Sequence, residues 1–134
     1  MLDWLFGKGE DESIKVLNST FFNVQTIDNR LKVKLISKDI LDTSKVIIIK
    51  FGTESCPACK MFRQPLKSFE IKNKENIETY EVDITDNQEL AQQLRIMWVP
   101  TNYIFFKWEL FDVSVWASLK DIVQKISKLW IQIK

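Results

Sequence analysis

Cys56 and Cys59, in the run Cys56-Pro57-Ala58-Cys59, are the groups best able to do chemistry, and they are the only cysteines in the 134 residues. Thiols at this spacing can close on each other, exchange with another disulfide, or give a metal two ligands. The chain has no His, which excludes Cys-His and Ser-His catalysis and imidazole ligation. Acid-base help must then come from carboxylates, Lys or Tyr. Zinc usually takes four ligands, so only carboxylates or a second copy of the chain could complete a metal site. Two cysteines also cannot build the disulfide framework of a small secreted scaffold, although a purely structural disulfide stays open. In the redox reading, Cys56 lies where a buried strand ends and a helix begins. The helix's unpaired N–H groups and positive dipole end favour its thiolate there. Cys56 is the predicted nucleophile. Cys59, one turn on, can attack the resulting mixed disulfide and release the reduced partner. Lys60 and Arg63 either add positive charge nearby or are solvated helix residues.

These cysteines need a strand before them and a helix after them. Val46-Ile47-Ile48-Ile49 is a β-branched apolar run of the kind found in a central strand covered on both faces. Gly52-Thr53-Glu54-Ser55 reads as a loop, and Pro57 suits a helix's first turn. Phe62, Leu66 and Phe69 follow at helical spacing, with a kink expected at Pro65. A second strand is predicted from Ile77 to Ile84. Asp86 is placed to cap a helix through Leu90, Ala91 and Leu94. After Pro100 a third strand covers Tyr103 to Phe106, a fourth lies near Phe111 to Val115, and Ser118 opens a last helix. Leu119, Ile122, Val123, Ile126, Leu129 and Trp130 form that helix's apolar stripe. The order β-α-β-α-β-β-α predicts an α/β fold with a sheet of about four to five strands flanked by helices.

The first third is less regular. Residues 21 to 36 alternate in part, with Phe22, Val24 and Thr26 before Asp28-Asn29 and Leu31, Val33 and Leu35 after it, as in a hairpin. A helix over residues 13 to 27 competes with that reading. Residues 7 to 13 are polar and hold two of the three glycines, which suggests a flexible connection behind a short apolar tip. The expected division is an N-terminal extension, residues 1–30, and one domain over residues 31–134. The hydrophobic content of 46% is ample for one core, and 19 Lys and Arg nearly balance 18 Asp and Glu. No global field therefore favours nucleic acid or a membrane surface. The opening residues carry an acid where a signal peptide has positive charge, and their apolar run is short, so a reducing cytoplasm is the expected setting.

The hydrophobic strand ending in Phe51 ahead of Cys56-Pro57-Ala58-Cys59, the strand with Val82-Asp83-Ile84, and Val99-Pro100-Thr101 resemble the thioredoxin superfamily over roughly residues 31 to 134. Pro100 follows Cys56 by 44 positions, in agreement with that family. The resemblance implies a thioredoxin-like fold with a cis bond before Pro100 and substrate backbone paired along Val99, Pro100 and Thr101. It also implies protein disulfides as substrates, an external donor such as a thioredoxin reductase or glutathione system, no cofactor, and a monomer.

Several positions depart from the family. Ser55 replaces the tryptophan before the first cysteine, Pro57-Ala58 replaces Gly-Pro, and Pro65 falls one position late. The family's buried aspartate, six positions before the first cysteine, is Lys50 here, and its partner lysine on the next strand is Glu81. One reading is a partly buried ion pair beneath the cysteines, with Glu81 or a Lys50 of lowered pKa moving protons to and from Cys59. The other is a solvated strand face. Trp98 and Trp116 stand near positions where the family prefers glycine. With Trp108 they could form an aromatic rim for a partner, or pack into the core. The functional expectation is a protein-disulfide reductase. A thioredoxin-fold binding module with incidental cysteines is the alternative.

Overall fold

In the computed structural model, the described residues are 15–36, 41–42 and 44–134. The predicted apolar tip and polar connection lie outside them. The hairpin strands are β1 (Phe22–Ile27) and β2 (Arg30–Leu35). Asp28 and Asn29 between them both have positive φ, 52° and 65°. Such a two-residue turn matches the twist of the flanking strands, and Asp and Asn tolerate the left-handed backbone. Phe22 packs on Phe51 and Phe105 at ring separations of 5.7 and 6.2 Å, contacts that favour this strand over the competing helix.

The apolar run forms β3 (Val46–Gly52), buried along its whole length. It extends through Gly52, which the sequence placed in a loop. Next come α1 (Pro57–Lys72), β4 (Ile77–Asp83), α2 (Gln88–Gln93), β5 (Thr101–Phe106), β6 (Glu109–Val115) and α3 (Leu119–Ile126). The sheet order is β1-β2-β6-β5-β3-β4. β3 pairs parallel with β4 and antiparallel with β5, so both its edges and both its faces are covered. The fold is thioredoxin-like α/β, with six strands instead of four to five because the hairpin docks on β6 through Lys34 and Glu109. At the opposite edge, residues 15–17 run beside β4, exchanging the bonds Leu17 N–H to Glu81 O and Glu81 N–H to Lys15 O.

Alternation along β3 divides the core in two. Ile47, Ile49 and Phe51 face Phe22, Val33, Leu35, Leu90, Leu94 and Tyr103. Val46 and Ile48 face Phe62, Leu66 and Phe69 of α1 and Ile122 and Ile126 of α3. This second face is the one on which the cysteine-bearing helix rests.

Two local expectations change. Asn87, not Asp86, precedes α2, and its side chain does not cap the helix. It accepts from the Ser19 amide and donates to the Asp83 carbonyl, tying α2 to the N-terminal segment. Trp130 leaves the predicted apolar stripe: α3 stops at Ile126, a 3-10 turn follows, and Trp130 is 96% exposed with φ 60°. Pro65 lies inside α1, as its place in the helical pattern suggested. No helix among the described residues is long and apolar enough to cross a membrane.

Candidate active site

Cys56 is the N-cap of α1, with extended backbone and Pro57 in the first helical turn. Its sulfur accepts from the Cys59 amide at 3.1 Å, which places it among the unpaired donors of a helix N-terminus. Cys56 and Cys59 are joined in a disulfide with a Cα–Cα distance of 5.3 Å. Cys56 is 9% exposed and Cys59 4%, so Cys56 is the sulfur nearer to solvent. Cys59 lies against Gly52. A β-carbon on Gly52 would meet Cys59 Sγ at 2.7 Å, a clash that explains why the strand ends on a glycine.

The Val99–Pro100 peptide bond is cis, and the Val99 carbonyl oxygen lies 3.8 Å from Cys56 Sγ. This loop is held by Thr101 Oγ1 donating to the Trp98 carbonyl and by the Trp116 amide donating to the Pro100 carbonyl at 2.8 Å. Trp98 and Trp116 pack on each other with ring centroids 5.6 Å apart, 57% and 52% exposed. They are surface residues, not core. Trp108 does not join them. It occupies the β5–β6 turn, where Lys107 and Trp108 have φ of 51° and 75°, and it packs against the hairpin side of the core. The rim is therefore a pair.

Lys50 and Glu81 are register partners on β3 and β4. Lys50 is 2% exposed, and its ammonium donates to the Cys59 carbonyl and to Glu81 Oε2, both at 2.8 Å. This buried ion pair rules out the solvated-face reading. The sequence missed its third member: Arg63 Nε donates to Glu81 Oε2 at 2.9 Å and an Nη to Oε1 at 3.2 Å. Arg63 also reaches Glu54 at 3.5 Å. The signal was its position four residues after Cys59, which puts both on one face of α1. Lys60, by contrast, is exposed.

Burial pushes the Lys50 ammonium's pKa below the ordinary lysine value, against the raising effect of Glu81. For Glu81, burial alone would raise the pKa. The Arg63 and Lys50 hydrogen bonds and charges outweigh it, and the carboxyl stays below its usual range. Lys50, Glu81, Arg63, Cys59, Gly52 and Asp83 line a common cleft of about 430 Å³. Across the sheet from Lys50 stands Asn102 of β5. It is 0% exposed, donates to the Ser114 and Trp116 carbonyls, and among the described residues has no partner for Oδ1.

A model of the Thioredoxin family matches residues 29–128. Thioredoxin H5 of Arabidopsis thaliana is 28% identical over 91 residues, covering 68% of this chain and 76% of the plant protein. Thioredoxin of Bacillus subtilis is 25% identical over 81 residues, covering 60% of this chain and 78% of its own. Among solved structures, thioredoxin f2 of Chlamydomonas reinhardtii superposes with a TM-score of 0.59 at 19% identity, covering 65% of this chain and 81% of that one; this likeness supports the fold alone. Taken with the disulfide at the N-terminus of α1, these matches favour redox exchange over a binding module, and the chain belongs to the thioredoxin family of thiol–disulfide oxidoreductases.

Proposed function

We propose that this oxidoreductase works as a protein-disulfide reductase. The observation that carries the reading is Cys56 at the N-cap of α1, disulfide-bonded to the more deeply buried Cys59 and facing the Val99–Pro100 loop. In the reduced protein the Cys56 thiolate attacks a substrate disulfide, forming a mixed disulfide and expelling one substrate thiolate. Cys59 then attacks Cys56 Sγ, the intramolecular disulfide closes, and the second substrate sulfur leaves. Two electrons pass to the substrate. Substrate backbone lies along Val99, Pro100 and Thr101, with Trp98 beside it.

Of the two candidates for proton handling at Cys59, Lys50 rather than Glu81 governs whether Cys59 keeps its proton. Two cations hold Glu81 as a carboxylate, which makes it a poor proton carrier near neutral pH, whereas the Lys50 ammonium lies 2.8 Å from the Cys59 carbonyl. An external donor, a thioredoxin reductase or a glutathione system, returns the dithiol. The proposed working form is a monomer in the cytoplasm, where thiols are kept reduced.

Insulin-disulfide reduction tests the reading. Wild type should turn over, Cys56→Ser should abolish turnover, and Cys59→Ser should accumulate a mixed disulfide through Cys56. A Cys56→Ser protein that still reduces insulin would remove the proposal.

A further inference from the structure

Beneath Cys59 the arrangement favours negative charge on sulfur. Lys50 uses two ammonium protons, on the Cys59 carbonyl and on Glu81. Among the described residues its third proton has no hydrogen-bond acceptor. Lys50, Glu81 and Arg63 together carry one net positive charge, and the most buried of the three lies against Cys59. The other charged groups lining the cleft are Glu54, Asp83 and Asp86, none of them buried. Lys60 of α1 is solvated, and Asp121 of α3 is neutralised by Lys125 at 2.7 Å. Water and salt screen these more than they screen Lys50.

We propose that Lys50 holds Cys59 of the reduced pair as a thiolate, which makes this disulfide easy to reduce and directs the enzyme to labile, exposed disulfides rather than structural ones. The inference rests on the exchange reaction above. With glutathione as donor, two glutathione thiols reduce the Cys56–Cys59 bond. The products are one glutathione disulfide, a Cys56 thiol, a Cys59 thiolate paired with Lys50, and one proton released. Stabilising a thiolate product raises the potential of the couple. Labile and regulatory disulfides have higher potentials than structural ones and remain within reach of such a reductant.

The test is the equilibrium of the full chain against a glutathione redox buffer, read by thiol alkylation, for wild type, Lys50→Met and Lys50→Gln. Lys50→Met should shift the equilibrium about tenfold toward the disulfide, about 30 mV for this two-electron couple. Lys50→Gln, which also removes the charge, should shift it the same way. In reduced Cys56→Ser, thiolate absorbance at 240 nm should show Cys59 titrating below the free-cysteine value of about 8.5. Adding Lys50→Met should raise that midpoint. Should Lys50→Met not fold, Lys50→Gln decides. A wild type that titrates while the folded variants are unshifted, or shift toward the dithiol, overturns this inference alone. A wild type that does not titrate reversibly removes the exchange reaction and this inference with it.

Discussion

Gly52→Ala is expected to destabilise the oxidised protein more than the reduced one. Gly52 does not have positive φ, so an alanine backbone fits and the effect is steric. The new methyl would stand 2.7 Å from Cys59 Sγ and 3.2 Å from Cys59 Cβ. In the disulfide form that sulfur is bonded to Cys56, whose backbone begins α1, so relief requires α1 to move off β3. Overpacking of this kind costs about 1–3 kcal/mol, and the stiffer alanine returns about 0.5 kcal/mol through the unfolded chain. Placing the oxidised state near the top of the range gives a net loss of about 2 kcal/mol. In the dithiol form Cys59 can rotate its sulfur away, which leaves a net loss of about 0.5 kcal/mol. Denaturant unfolding of both redox forms measures the two losses directly. Their difference, about 1.5 kcal/mol, must reappear as a shift of about tenfold toward the dithiol in a glutathione titration, because the four states close a cycle. Equal losses in the two forms, or none in either, would refute the steric argument.

Glu70 is buried and accepts from Lys15, Lys67, Thr79 Oγ1 and the Thr79 amide. Burial opposes its ionisation, but these four donors outweigh it and its pKa lies below the usual carboxylate value. A depressed folded pKa contributes stability that is present above the unfolded value and lost as pH falls through the folded one. Glu70→Gln should therefore cost roughly 2 kcal/mol at pH 7, and the gap to wild type should close below the ordinary carboxylate range; a gap that stays constant down to pH 3 contradicts the assignment. Trp98→Ala removes the ring that packs on Trp116. It should raise the KM for a protein disulfide several-fold, about 1 kcal/mol, with kcat little changed, and an unaltered KM would place the pair outside the substrate's path.

The parts of the site legible in the sequence are those fixed by short-range pattern. Cys56-Pro57-Ala58-Cys59 after a β-branched run specifies strand, cap and helix together, and Asp28-Asn29 between alternating residues specifies the hairpin turn. Lys50 and Glu81 could be paired through the family resemblance, because they stand where the family has a buried aspartate and its partner lysine. Arg63 was harder: a long side chain can point to solvent or fold back, and only the position of Glu81 decides between them. Trp108 and Trp130 were misplaced for a related reason. Their left-handed backbone, φ 75° and 60°, has no signature in an aromatic residue, which rarely adopts it. The docking of β2 on β6 joins elements more than 70 residues apart, and no local pattern encodes such a pairing.

One contiguous segment protects both sides of the sheet. Residues 15–17 lie along β4, and the chain then crosses to place the hairpin beside β6. Phe22, Val33 and Leu35 join the core on the way. Truncation ahead of β3 would uncover both strand edges at once, together with the apolar face behind them, and an excised span of residues 29–128 would split the hairpin at its turn. Such a fragment would carry the cysteines and the proline loop yet present two open pairing templates, a recipe for aggregation. The sheet therefore extends upstream of the region matched by the family model, through β1 and residues 15–17.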